Sequence, residues 1–409
     1  MNCIGNPLQL KFKTDNGYYV FDGKTGRLYK TTAATFAIFD EFDHLSRESL
    51  LAKYEQLYPR EEVDKAHTIL QELSHSGLML GGPLEQRLAP PQMDQIWETL
   101  NHQLKKVTLE LTQACNLRCR YCVYSGGYSH YRSHGQMYMS EDLAKTTIDF
   151  YADRSIKPQA VTFYGGEPLV NFPLLRTCVE YARAHPRLGP ETISSFTTNG
   201  TLLTKAVIDY LVGEDIGFVI SIDGPAEHHD HHRIFQNGKG SFETVFCNIR
   251  ILRGHCSDSY YLGRVSFACT ITPTTDLLDL YEFFAQYQDL FPAGKIELSF
   301  MNEGNEAFLR QFPWNRHKLA RDLRTLRQMY KDTVLKRADH PLKFLSALFE
   351  DGLLRIDRRM QLNRASNRLD INPSCLPGAD RLYVTVDGIL HMCERLAVCR
   401  RKLPSQAKP

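Results

Sequence analysis

Cys115, Cys119 and Cys122, in the stretch LELTQACNLRCRYCVY, follow one another as C-x3-C-x2-C. Three thiolates on one metal centre leave a corner of its coordination without a protein ligand. Structural metal sites normally close their coordination, whereas sites built for chemistry keep a position open. Thiolates select zinc, copper(I) or iron–sulfur clusters. On a four-iron cluster, three of them would leave one iron free to bind and activate a small molecule. The plainer alternative is zinc with His130 or His134 as fourth ligand, since C-x2-C is often half of a zinc site.

Such a loop needs a scaffold. Val107 to Leu111 reads as a buried strand with the cysteines just beyond its C-terminal end, where the functional loops of (β/α) barrels lie. From there strands and helices alternate, the pattern of a parallel α/β fold. Strands are expected at 107–112, 160–164, 192–197, 217–222, 263–271 and 295–300. Helices are expected at 140–153, 172–185, 204–213, 241–253, 276–290 and 317–336. Gly165, Gly166, Glu167 and Pro168 follow the second strand, Thr197 to Gly200 (TTNG) the third, and Ser221 to Gly224 (SIDG) the fourth. Glycine lets a backbone approach a ligand closely, although Asn-Gly and Asp-Gly also favour tight turns. Arg233 follows in HHDHHRIFQNGKGSFETV, and a guanidinium suits a carboxylate because it donates two parallel hydrogen bonds. The histidines at 228, 229, 231 and 232 read as a polar loop, since nothing else there completes a metal site.

Residues 1–80 read as a separate small domain. Short strands are expected at Leu8 to Thr14, Tyr18 to Asp22 and Arg27 to Thr31, with Asn-Gly and Asp-Gly as turn signals. Three helical stretches follow, Ala33 to Leu45, Ser46 to Leu57 and Glu61 to Leu73, and Leu78 to Leu80 could return as a strand. Residues 81–105 form a linker broken by Gly81, Gly82, Pro83, Pro90 and Pro91. An edge strand in the first domain can add an extended peptide through backbone hydrogen bonds.

Tyr121 before the third cysteine, the GGEP, TTNG and SIDG segments and the H-D-x-x-R…G-x-G-S-F run together resemble the radical S-adenosylmethionine (SAM) superfamily, in its branch that modifies peptides and proteins. The resemblance implies an α/β fold with a partial (β/α)6 barrel over residues 106–340. It places a 4Fe–4S cluster on Cys115, Cys119 and Cys122 and lays Tyr121 near the adenine of SAM. Gly165, Gly166 and Glu167 would hold the methionine amino group. Thr198, Asn199, Ser221 and Asp223 would reach the ribose and carboxylate, with Arg233 as carboxylate clamp. The N-terminal strands and helices resemble the small α+β winged helix-turn-helix domain that recognises precursor peptides. Lys11, Lys13, Lys24, Arg27 and Lys30 would suit an acidic leader there.

Near the C-terminus, Cys375, Gly388 and Cys393 are spaced C-x12-G-x4-C, and Cys399 follows. This resembles the start of a SPASM domain, which carries auxiliary iron–sulfur clusters beside the substrate pocket. A hairpin around Asp387-Gly388 would bring Cys375 and Cys393 together. A full SPASM region continues with further cysteines, whereas this chain stops at Pro409. Residues 341–409 are therefore expected to form a partial, truncated SPASM-like segment holding one incomplete auxiliary cluster or none. Zinc or unligated thiols are the alternatives.

The family's chemistry is reductive cleavage of SAM to a 5′-deoxyadenosyl radical, which removes hydrogen from an unactivated carbon. The expected substrate is a ribosomal precursor peptide and the expected product a thioether cross-link, with carbon–carbon linkage and epimerisation open. An electron donor such as ferredoxin or flavodoxin is implied. A second reading is an anaerobic sulfatase-maturase-like protein oxidase. A third is a DNA-binding iron–sulfur redox regulator, against which the N-terminal helices are not strongly basic and one carries Asp40, Glu41 and Asp43. A net charge of +2 gives no general field for nucleic acid. No apolar run approaches a membrane span, and the first residues lack an apolar signal core, so a cytoplasmic location is expected. Eleven cysteines in 409 residues fit reduced thiols and metal ligation better than disulfides.

Overall fold

The computed structural model describes residues 9–78, 85–87, 98, 101–129, 131–292, 295–335, 343–359, 361–363, 368–370 and 381–394. The chain divides into two compact units, residues 1–94 with 353–374, and residues 95–352 with 375–409. The segment 341–409, expected as one C-terminal region, thus contributes to both.

In the first unit β1 (Gln9–Thr14), β2 (Gly17–Asp22) and β3 (Arg27–Thr31) form an antiparallel meander in that order. Helices α1 (Ala33–Ile38), α2 (Arg47–Tyr54) and α3 (Arg60–His75) follow. The Thr32 and Ser46 hydroxyls begin the first two by accepting from Thr35 N and Ser49 N, at 3.1 and 3.2 Å. Gly77, at φ +73°, ends α3 in the left-handed region. α1 is shorter than its spacing suggests, yet Phe39 and Phe42 beyond it still pack on the core of Val20, Ile38, Leu50, Val63 and Leu70. Of the five cations expected to face an acidic peptide, three serve this unit itself. Lys11 Nζ lies 2.7 Å from Asp40, Lys24 is buried, and Arg27 donates to Leu362 O and Asn363 Oδ1, both at 2.8 Å. β4 (Glu85–Arg87) pairs in parallel with Arg368–Asp370, which is β11. The end of the strand proposed for Leu78 to Leu80 and most of the linker lie outside the described residues.

The second unit is built on six parallel strands, β5 (Leu104–Thr112), β6 (Ser155–Gly165), β7 (Ile193–Thr198), β8 (Gly217–Ser221), β9 (Val265–Ile271) and β10 (Ile296–Phe300). They lie in sequence order across the sheet, each paired in parallel with the next. The expected helices are present as α4 (Glu141–Ala152), α5 (Phe172–Ala184), α6 (Lys205–Gly213), α8 (Phe242–His255), α10 (Leu277–Gln286) and α12 (Arg316–Leu335). Alternation on β5 separates two environments. Val107, Leu109 and Leu111 join the apolar core with Ile148, Tyr151 and Leu175 of the helices, whereas Thr108 meets Thr162 at 2.7 Å. Beyond β5 the sheet continues with β12 (Arg381–Val384), parallel to it, and β13 (Leu390–His391), antiparallel to β12. The turn at Asp387-Gly388 is there, with Gly388 at φ +84°, but its extension of the barrel sheet was not expected.

The histidine run requires a correction. Ala226–His232 is a helix, α7, and α9 (Asp258–Arg264) and α11 (Glu306–Gln311) are further short helices. His229 and His232 are buried in place of forming a polar loop, because their rings find partners inside. His232 Nε2 lies 2.8 Å from Thr274 Oγ1. Among the described residues no helix is long and apolar enough to cross a membrane.

Phe267 on β9 is fully buried and meets Phe291 edge-on, with ring centroids 4.8 Å apart. Phe267→Ala is expected to destabilise the barrel by about 3–5 kcal/mol, read as a lowered urea midpoint at an unchanged slope.

Candidate active site

The cysteine loop leaves β5 and is pinned from two sides. Arg118 N donates to Ile234 O at 2.7 Å and Arg120 N to His232 O at 3.0 Å, so the segment after α7 runs antiparallel beside it. At its base Gln113 N donates to Met137 O at 2.9 Å. Backbone amides then reach the sulfurs: Leu117 N lies 3.4 Å from Cys115 Sγ, and Tyr124 N 3.4 Å from Cys122 Sγ. Burial pushes the Cys115 and Cys119 thiols up to about 12 and raises Cys122 as well. Unmetallated, the three sulfurs are therefore neutral, and cation binding must expel their protons.

Cys115, Cys119 and Cys122 share one cavity of about 210 Å³ with Tyr121, Gly165, Gly166, Glu167, Thr198, Asn199, Ser221 and Arg233. Residues from four strand ends, distant in sequence, are brought to one place. Gly165 stands at φ +142°, and a side chain there would overlap the Thr112 carbonyl oxygen; one on Gly166 would overlap that of Ala114. The chain's own packing against the end of β5 already requires these two glycines. The Glu167 carboxylate accepts from Leu169 N at 3.1 Å, Thr198 Oγ1 at 2.8 Å and Asn199 N at 2.7 Å, joining the loops after β6 and β7. Burial raises it to about 7 against the pull of those donors. Asn199 Nδ2 donates to Asn116 Oδ1 at 2.8 Å and lies 3.8 Å from Cys115 Sγ, which ties the TTNG loop to the cysteines.

Asp223, expected to reach a ligand, stands behind this wall. It accepts from Arg233 Nε at 2.8 Å, from Thr270 N at 3.0 Å and from the Tyr121 hydroxyl. Arg233, expected as carboxylate clamp, and the aromatic of the cysteine motif are thus held by one buried acid. His229 completes the joint: its Nδ1 accepts from Asp223 N at 3.3 Å, and its Nε2 lies 3.0 Å from Ser241 Oγ, which itself donates to Arg233 O at 2.8 Å.

Tyr124, His134 and Tyr164 also line the cavity. Tyr164 could have been found from its place at the C-terminal end of a barrel strand. A second cavity of about 550 Å³ has Tyr121, Cys122, Tyr124 and Tyr164 in its wall together with Tyr131, Thr270, Phe300, Met301 and Glu394. Cys393 neighbours Glu394 after the hairpin, while Cys375 and Cys399 lie outside the described residues. His130 lies outside them as well. Among the described residues no three His, Cys, Asp or Glu side chains converge as ligands of a single metal ion. The three cysteines stand around one cavity, with backbone amides directed at the Cys115 and Cys122 sulfurs, an arrangement that fits a cluster with its thiolates at separate corners.

Residues 109–277 match the Radical SAM superfamily. The chain is 32% identical over 174 residues to the serine-type anaerobic sulfatase-maturating enzyme of Bacteroides thetaiotaomicron, covering 42% of this chain and 41% of that protein. It is 31% identical over 183 residues to the mycofactocin maturase MftC of Mycolicibacterium smegmatis, covering 44% and 42%. The match therefore spans about two fifths of the length of these relatives. In fold it is similar to native anSMEcpe with bound AdoMet, with a TM-score of 0.53 and 20% identity over 70% of this chain and 74% of that one.

His229 is pushed down to about 3, first by burial and then by Arg233, with Asp223 opposing. An unfolded histidine takes up its proton near pH 6.5, so this ring's contribution is whole above that value and is lost as pH falls toward 3. Between about pH 6 and 4.5 the wild-type protein is expected to lose roughly 2 kcal/mol more stability than His229→Gln. Urea titrations of the metal-free protein at the two pH values check this.

Proposed function

We propose that this chain, whose residues 109–277 match the Radical SAM superfamily, is a radical SAM enzyme that modifies a precursor peptide by forming a thioether. The observation that carries this reading is the single cavity shared by the three cysteines and the GGEP, TTNG and SIDG strand ends. Cys115, Cys119 and Cys122 would hold a 4Fe–4S cluster and leave one iron for SAM. Bound together, cluster and SAM supply one-electron reductive cleavage of the sulfonium and a carbon radical that removes a substrate hydrogen.

The chain's own residues then have separable tasks. Gly165, Gly166 and Glu167 bound the side where the methionine amino group would lie, and Thr198, Asn199 and Ser221 lie on neighbouring strand ends. Arg233, backed by Asp223, presents a fixed positive charge to the carboxylate, and Tyr121 is held in place by the same acid. The adjoining cavity, walled by tyrosines and Met301, would receive the substrate side chain. The edges of the N-terminal meander, β1 and β3, offer backbone groups to an extended peptide. A ferredoxin or flavodoxin would supply the electron. An auxiliary cluster involving Cys375, Cys393 and Cys399 remains part of this proposal.

The likeness to a sulfatase-maturating enzyme, 32% over 174 residues, favours a second reading in which one residue of a protein substrate is oxidised. Mass spectrometry separates the two. With a short cysteine-containing peptide encoded beside the gene, cross-linking removes two hydrogens and one alkylatable thiol together and tethers two residues. Oxidation of a serine removes hydrogen and leaves every thiol alkylatable.

The reconstituted wild-type protein is expected to form 5′-deoxyadenosine from SAM and a low-potential reductant, and Cys119→Ala to form none. Undiminished deoxyadenosine from the variant, followed by chromatography, would contradict the cluster assignment.

A further inference from the structure

Glu110 is a buried carboxylate on β5 between Leu109 and Leu111, and it lines neither cavity described above. Its two oxygens meet donors from separate segments. Oε1 binds the Arg132 guanidinium, and Oε2 accepts from Val386 N at 3.1 Å. The Tyr383 hydroxyl lies near the same carboxylate. Tyr383 and Val386 belong to the β12–β13 hairpin. Arg132 lies in the stretch after the cysteines, whose described residues between 123 and 136 form no helix or strand. The Arg132 guanidinium in turn stacks 3.8 Å from the centre of the Tyr124 ring, and Tyr124 N points at Cys122 Sγ, 3.4 Å away. Contacts thus run unbroken from the hairpin turn to the third cysteine.

We propose that Glu110 is a positioning residue that locks the C-terminal hairpin to the cysteine loop through Arg132 and Tyr124, fixing the N–H···S contact at Cys122. This rests on the cluster reading of the three cysteines. An acceptor with two oxygens is what the position demands, because donors from two other segments converge there and a buried donor left unmet is costly. Hydrogen bonds to the sulfurs are among the levers that set a cluster's reduction potential. An amide directed at a thiolate draws negative charge from it, so it favours the reduced and more negative cluster. Loosening the lock should therefore lower the potential.

Glu110→Gln turns one acceptor into a donor facing donors. Arg132→Lys keeps the charge opposite Glu110 but loses the guanidinium over the Tyr124 ring, and it carries the test if the first variant folds poorly. Tyr151→Phe is the structural control: that hydroxyl donates to Lys105 O at 2.6 Å and accepts from Ala160 N at 3.0 Å, at the other end of β5. In the full-length reconstituted protein, titration followed by electron paramagnetic resonance is expected to give lower potentials for both lock variants and an unchanged one for the control. In the metal-free protein, amides of residues 123–136 are expected to exchange with deuterium faster in both lock variants and not in the control. Wild-type potentials or wild-type exchange in the lock variants overturn the proposal. If the wild-type chain assembles no cluster, the reading of the cysteines falls, and exchange alone decides the coupling.

Discussion

Three buried carboxylates at or near strand ends hold this site together. Glu110 receives the cysteine-loop arginine and the C-terminal hairpin. Glu167 joins the loops after β6 and β7. Asp223 gathers Tyr121, Arg233 and the end of β9. Taking a carboxylate out of water costs several kcal/mol unless its oxygens are met by donors in good geometry. Each of these acids has such donors, and they come from different segments. The penalty for separating the segments is what makes irregular loops behave as one wall. Apolar packing could not do this at the barrel mouth, because the loops carry polar backbone groups that themselves need partners.

The same burial acts on the cysteine sulfurs. Burial pushes the Cys115 and Cys119 thiols up to about 12, so three sulfurs can be packed close together without the repulsion that three thiolates would bring. A cationic centre reverses that balance by making thiolates favourable, and the amides aimed at Cys115 and Cys122 are already in position to receive them.

Much of this was legible in the sequence. Alternation of apolar runs placed all six barrel strands to within a few residues, because parallel strands covered by helices are continuous in hydrophobicity. The cysteine spacing and the glycine-bearing strand ends marked the residues that now line one cavity. What was missed has a common physical cause. A histidine's polarity says nothing of whether its ring finds partners, and the His229 ring finds two, so a run read as a solvated loop became a buried helix. Asp223 and Glu110 are acids whose roles depend on donors far away in the chain. The pairing of β12 with β5 joins residues more than two hundred positions apart, and no local pattern encodes it. Of these acids Glu110 left a trace, as a charge inside an apolar strand.

The two cavities share a wall of Tyr121, Cys122, Tyr124 and Tyr164, and this separates the demands placed on the site. The first chamber is ringed by the thiols, a buried acid and an arginine, suited to a charged cofactor of fixed shape. The second is larger, with aromatic rings, Met301, hydroxyls and a carboxylate, suited to a substrate side chain presented from outside. On the proposed reading, a reactive species formed in the first chamber would reach the second without crossing solvent only if their common wall stays in register. Tyr121 is held by Asp223 and the Arg132 guanidinium lies over the Tyr124 ring, so the buried acids that order the first chamber also fix the wall it shares with the second.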